Sequence, residues 1–388
     1  MTPLTSAQPA DIGLHPARTQ RLLDVLRERV DRQHIPGAVV LVARQGRIGL
    51  FEALGQQDPA TGTPMRTDSI FRIYSMTKPL VSVAVMMLVE RGRLLISDPV
   101  SQWLPEYAQQ QVWTPQGLVP VHTPATVQDL LRHTAGQTYE FLGDSPVQQQ
   151  YAAVNIASRR RSNAEFSHTL AALPLQFQPG RVWAYSRATD VLGRLVEVVT
   201  GQTLGQFLQQ DIFEPLGMRD TGFAVPPAQQ HRIVEAFAHD PDGGVPMKLF
   251  DAREVPAMES GGGGLLSTAM DYARFLQCLR NGGTLDGHRL LGRHTLAFMT
   301  ADHLGSLPID GTLLPPGHGF GLGFAVRRAA GESPVPGSVG TYHWTGIGGT
   351  SFFVDPVQDL YALLLTQAPN QRDHYRQLIR HLVYAALD

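Results

Sequence analysis

The sequence predicts an α+β fold: an antiparallel sheet assembled from both ends of the chain and flanked by helices, with a mostly helical segment inserted between. Three observations predict it. Apolar, β-prone runs cluster near the two termini and are scarce between them. Apolar residues at helical spacing mark the first and last segments. Residues 75–90 are apolar on nearly every face, the pattern of a helix buried at the centre of a domain.

Leu22, Leu23, Leu26 and Val30 recur at helical spacing over residues 17–34, and Pro36-Gly37 punctuates the end, so the first element is a helix. Residues 38–43 and 48–53 are β-prone runs separated by a polar turn with Gln45-Gly46, which reads as a hairpin. The buried helix of residues 75–90 ends at Arg91-Gly92. Between about residues 100 and 300, helical segments are expected at 126–133, 189–200 and 268–280, divided by Pro- and Gly-containing loops. Strand character returns at 321–326, 350–354 and 361–367, and a last helix runs over 372–386. The expected division is a sheet unit of residues 1–95 and 310–388 and a helical unit of residues 96–309, with a cleft where they meet.

Composition narrows the function. The chain has 388 residues, 43% hydrophobic, with 32 basic against 34 acidic side chains and a net charge of −2. No block of like charge offers a footprint for nucleic acid or an anionic membrane. The longest apolar run, 80–89 broken only by Ser82, is too short to span a bilayer. The single cysteine, Cys278, can form no internal disulfide, and the first residues lack a basic start followed by an apolar run. A cytoplasmic location and a small-molecule partner are therefore expected. Only two of the basic residues, Lys78 and Lys248, are lysines, so each lysine invites a question.

Ser75-Met76-Thr77-Lys78 answers it for one of them. It opens the buried helix, and residues three apart share a helix face, so hydroxyl and amine can meet. Arginine would not serve, because a guanidinium is not deprotonated in proteins, whereas a desolvated amine can be. Pro79 is tolerated in the first turn, and the helix N-terminus favours a developing anion near Ser75. Tyr185-Ser186 follows the Gln178-Pro179-Gly180 turn; taken alone, Tyr185 reads more simply as a core tyrosine with a satisfied hydroxyl. The third piece, the run from His343 to Thr350, is rich in glycine and precedes a strand. It reads alone as a hairpin, yet its backbone N–H groups could form an oxyanion hole.

Taken in order, the three pieces resemble the serine β-lactamase and penicillin-binding protein superfamily, in particular its class C β-lactamase-like branch and the family VIII carboxylesterases. Ser75-x-x-Lys78 is similar to the first motif, Tyr185-Ser186 to Tyr-x-Asn, and Trp344-Thr345-Gly346 to Lys-Thr-Gly, which in the esterases is often Trp-x-Gly. The segments 130–136, 262–268 and 319–323 also look familial. The resemblance implies a β-lactamase/transpeptidase-like fold and a serine esterase acting through an acyl-enzyme on Ser75. In that scheme Tyr185 is the general base, its pKa lowered by Lys78, and the backbone N–H groups of Ser75 and Ile347 hold the oxyanion. Trp344, Gly346 and Arg187 line the substrate site. Arg187 replaces the motif's Asn and Trp344 its second Lys, so neutral, largely apolar esters are expected over anionic β-lactams. β-Lactamase, D-alanyl carboxypeptidase and acyltransferase activities remain alternatives on the same fold.

Other chemistries find no support. There is no G-x-S-x-G nucleophile elbow, no G-x-G-x-x-G, and no Lys with Ser or Thr after Gly261–Gly264 to make a phosphate cradle. Among the histidines no H-E-x-x-H occurs, and His133 reads as a structural hydrogen-bonder, so no metal and no cofactor are expected.

Overall fold

Two strands that are apolar at nearly every position lie side by side at the middle of the sheet, where both faces are covered. A computed structural model describes residues 2–388. In it Gly37–Arg44 (β1) pairs with Arg47–Asp58 (β2) on one side and with Leu360–Leu365 (β8) on the other, both antiparallel. The sheet continues from β2 to Thr63–Pro64 (β3). From β8 it continues through Ser351–Asp355 (β7), Tyr342–Thr345 (β6) and Ala325–Arg327 (β5) to His318–Phe320 (β4). The order is β4-β5-β6-β7-β8-β1-β2-β3, so strands from the two ends of the chain meet at the β1–β8 pair, as expected from the sequence.

Alternation along β1 distributes its side chains between two cores. Ala38, Val40 and Val42 join Leu360, Ala362 and Leu364 beneath the helices Pro16–Asp31 (α1) and Arg372–Ala385 (α7). Val39, Leu41 and Ala43 join Leu363 and Leu365 on the opposite face, where Thr77–Glu90 (α2), Ala188–Thr200 (α5) and Ala269–Arg280 (α6) pack. Twelve of the 14 residues of α2 are buried, which makes it a fixed platform for whatever its first turn carries.

One expectation needs correction. Residues 321–326 are not one strand: β4 and β5 form a hairpin, and the chain bends between them at Gly321 and at Gly323, whose φ is +94°. A side chain at Gly323 would also run into Ser82 of α2, so the bend brings the hairpin against the central helix. The middle of the chain contains the expected helices, Val127–Leu131 (α3), α5 and α6, and also Asn163–Ala171 (α4). It adds short two-stranded pairs, Gln111–Thr114 with Gly117–Pro120 and Thr284–Leu285 with His288–Arg289, and a long irregular stretch over 233–265. No helix of the described residues is long and apolar enough to cross a membrane.

Candidate active site

The turn before α2 is fastened from three sides. Phe71–Arg72 pairs with Leu266–Ser267, the Ile73 N–H bonds to the Leu265 carbonyl at 3.1 Å, and the Tyr272 hydroxyl of α6 donates to the Met76 carbonyl at 2.9 Å. Within it Tyr74 has φ +45°, a conformation that costs a non-glycine residue about 1–3 kcal/mol and is held only where the surroundings over-determine it. Here they do: the Tyr74 ring lies edge-on to Phe250 at 5.2 Å and against Gly348, where a Cβ would come within 2.7 Å of it. The result presents Ser75, half-buried, in the helix-opening turn, where backbone N–H groups lack intrahelical acceptors.

One helical turn on, Lys78 is buried, and its Nζ reaches Ser75 Oγ at 3.2 Å, the Tyr139 hydroxyl at 2.9 Å and the Gly262 carbonyl at 2.6 Å. Burial lowers the amine to about 7, against the opposing pull of Asp190 and with a smaller push from Arg187. A large fraction of Lys78 is therefore uncharged near neutrality. Its partner Tyr139 sits in an irregular loop and had no sequence signal, since nothing periodic or motif-like surrounds it.

Tyr185 also comes to this point. Its ring lies tilted against that of Tyr139 at 5.1 Å, and its hydroxyl accepts the indole N–H of Trp344 at 3.3 Å. Burial is the dominant influence and pushes the phenol well above its usual range, outweighing the hydrogen bonds from Ser75 and Trp344 that favour the anion. The expected lowering by Lys78 is not seen, because burial dominates and the amine, 4.6 Å over the ring centroid, is itself lowered to about 7 and so carries little charge where a phenol would titrate. In this arrangement the uncharged amine is able to accept a proton from Ser75, and the phenol holds its own. His133, beside Tyr185, bonds to Ser186 Oγ at 3.2 Å, and burial keeps it neutral, as suits a structural hydrogen-bonder.

Gly346 and Ile347 lie in the turn after β6, pressed onto the nucleophile turn. A Cβ on Gly346 would collide with Thr350 Oγ1 and the Ile73 carbonyl, so only glycine permits this approach. The Gly346 N–H bonds to the Thr350 carbonyl and the Gly349 N–H to the Gly346 carbonyl, whereas the Ile347 N–H has no acceptor among the described residues. Arg376 of α7 anchors the turn by donating to the Gly346 carbonyl at 2.8 Å.

Two site residues occupy other roles than expected. Arg187 does not face substrate: it is buried, ion-paired with Glu140 and with Asp190 at 3.5 Å, and lies 4.7 Å over the Tyr139 ring. Trp344 is only 5% exposed, and its N–H is spent on Tyr185, which leaves no donor for an ester. No cluster of three or more His, Cys, Asp or Glu side chains among the described residues is arranged to hold a metal ion.

Comparison with known proteins agrees with this fold. A family model described as Beta-lactamase matches residues 22–385. Esterase EstB of Burkholderia gladioli is 35% identical over 387 residues, 93% of each chain. The lovastatin esterase of Penicillium rubens is 33% identical over 272 residues, 64% of this chain and 65% of its own length. Among solved structures, EstCE1, described as a hydrolase with promiscuous acyltransferase activity, superposes with a TM-score of 0.83 at 29% identity, covering 95% of this chain and 98% of its own.

Proposed function

The chain belongs to the beta-lactamase family, and from that premise we propose that it is a serine esterase that forms an acyl-enzyme on Ser75 and acts on small, neutral, largely apolar esters. The observation that carries the proposal is the buried Lys78 amine, lowered to about 7 and 3.2 Å from Ser75 Oγ at the mouth of a helix. The esterase activities named for EstB and the lovastatin esterase, and the hydrolase activity named for EstCE1, support it.

Neutral Lys78 takes the proton from Ser75 Oγ, and the oxygen attacks the ester carbonyl carbon. The backbone N–H groups of Ser75 and Ile347 receive the oxyanion; losing one such donor costs about 3 kcal/mol in other hydrolases. As the tetrahedral intermediate collapses, the leaving alkoxide takes the proton from the Lys78 ammonium, while the protonated Tyr185 hydroxyl stabilises it by donating a hydrogen bond. Water then repeats the sequence on the acyl-enzyme. An alcohol in place of water gives acyl transfer, the second activity named for EstCE1.

The preference for neutral esters follows from how nearby cations are employed. Arg187 is tied to Glu140 and Asp190, and Arg376 to Asp373 and the Gly346 carbonyl. Trp344 takes the place where the resemblance puts a lysine, and neither of these two arginines is free to receive a substrate carboxylate. A cytoplasmic location belongs to the same proposal, supported by the lone, buried Cys278. The test is kcat/KM for a short-chain nitrophenyl ester against that for an anionic cephalosporin. The ester is expected to be preferred, and preference for the cephalosporin would overturn the assignment.

A further inference from the structure

The glycine run Gly261–Gly264 is left unexplained by the acyl-transfer scheme, although Gly262 supplies the shortest of the bonds to Lys78. Its other side faces Asp190, whose carboxylate is fully buried on the first turn of α5. One carboxylate oxygen accepts from Ser260 Oγ at 2.5 Å and from the Gly262 N–H at 2.9 Å, and the other lies 3.5 Å from Arg187. The fit excludes side chains: a Cβ on Gly262 would come within 2.7 Å of Asp190 Oδ2, and one on Gly261 would strike the Thr189 carbonyl. Gly262, which Asp190 grips by its N–H, therefore points its own carbonyl, one peptide unit further on, at the amine.

We infer that Asp190 is a positioning residue for Lys78: its carboxylate clamps the Gly261–Gly264 arm so that the Gly262 carbonyl holds the amine against Ser75. It also supplies the buried negative charge that balances the ammonium formed when Lys78 takes the Ser75 proton. The proposal rests on the reading of Ser75 and Lys78 given above and adds the device that keeps the amine in use. In the proton transfer the Ser75 O–H bond breaks and an N–H bond forms on Lys78, so one positive charge appears in a dry site. The groups facing it are Ser75, His133, Tyr139, Glu140, Tyr185, Arg187 and Asp190. Of these, Glu140 and Asp190 are the carboxylates, and Glu140 is joined to Arg187 by two hydrogen bonds. One arginine cannot neutralise both carboxylates, so a net negative charge remains, and Asp190, which also grips Gly262, sets it beside the new ammonium.

Because the chain holds only Lys78 and Lys248, selective isotope labelling of lysine gives an NMR spectrum of two side-chain signals, with Lys248 as internal reference. In the parent the Lys78 signal is expected to titrate near 7. In Asp190→Asn, which keeps an acceptor for the Gly262 N–H and removes the charge, it is expected to titrate lower by about half a pH unit or more. The acidic limb of kcat/KM should move with it, and kcat should fall about tenfold or more. An unmoved Lys78 titration in a folded variant overturns the inference. If Asp190→Asn does not fold, Gly262→Ala, whose methyl group pushes the arm off the carboxylate, serves instead: a Lys78 titration and kcat like the parent's would equally overturn it. A parent whose Lys78 titrates near 7 but which cleaves no ester would refute the functional reading and not this one.

Discussion

Replacing Lys78 by Met should make the protein inactive and, at low pH, more stable. The buried amine falls from 10.5 to about 7. Below pH 7 the folded protein therefore carries an ammonium out of water, at a cost of about 5 kcal/mol for the 3.5-unit difference at 1.36 kcal/mol per unit. As pH rises from 7 towards 10.5, the folded state has already lost the proton while the unfolded state still binds it, so stability climbs with pH; above 10.5 the cost is gone. Methionine removes this cost but leaves the Gly262 carbonyl without its donor, a penalty of about 1–3 kcal/mol. The net gain at pH 6 is about 2–4 kcal/mol. With about 2.1 cal/mol/K per residue over 388 residues, that is a rise in Tm of about 3–5 °C. At pH 9.5 the remaining cost is about 1.4 kcal/mol, within the range of the lost hydrogen bond, and the advantage of the variant should vanish or reverse. The assay is calorimetry or thermal melting followed by circular dichroism, parent against K78M, across this range. A difference in Tm that does not depend on pH, or a variant less stable than the parent at pH 6, would refute a buried amine of depressed pKa.

The kcat/KM of the parent for a neutral ester should fall as pH drops through about 7, because protonation of Lys78 removes the base; a flat profile between pH 5.5 and 8.5 would contradict this. Trp344→Phe keeps most of the packing against Phe320 but deletes the N–H that Tyr185 accepts, so kcat should drop about tenfold, roughly 1.4 kcal/mol, with KM little changed. A change confined to KM would make Trp344 a substrate contact instead. Arg187→Ala leaves Glu140 and Asp190 buried without their cation and should cost about 3–5 kcal/mol in urea unfolding, whereas unaltered stability with weakened ester binding would restore the substrate role first expected of it.

What the sequence could reveal depended on how local the cause was. The β1–β8 pair was legible because strands covered on both faces must be apolar throughout, and Ser75-x-x-Lys78 because helix spacing alone brings the two groups together. The β4–β5 hairpin was hidden by its apolar residues: Gly321 and Gly323 looked like interruptions of one strand, and only the closeness of α2 makes them a bend. Tyr139 lies 61 residues from Lys78, in a loop without pattern, and nothing local distinguishes it from any other tyrosine. Arg187 was misjudged because its partner Glu140 lies 47 residues away, and a cation beside a nucleophile reads as a substrate contact until that partner is seen. Motif order brings Tyr185 to Lys78 but carries no information on its ionisation, because the burial that raises the phenol comes from the surrounding fold.

The most direct test is to trap the acyl-enzyme. Mixing the protein with a slowly deacylating nitrophenyl ester, quenching in acid and mapping the added mass by peptide mass spectrometry identifies the nucleophile. Acylation of Ser75, with a burst of nitrophenol close to one equivalent and neither adduct nor burst in Ser75→Ala, is the expected result. An adduct on another residue, or full turnover in Ser75→Ala, would contradict the account.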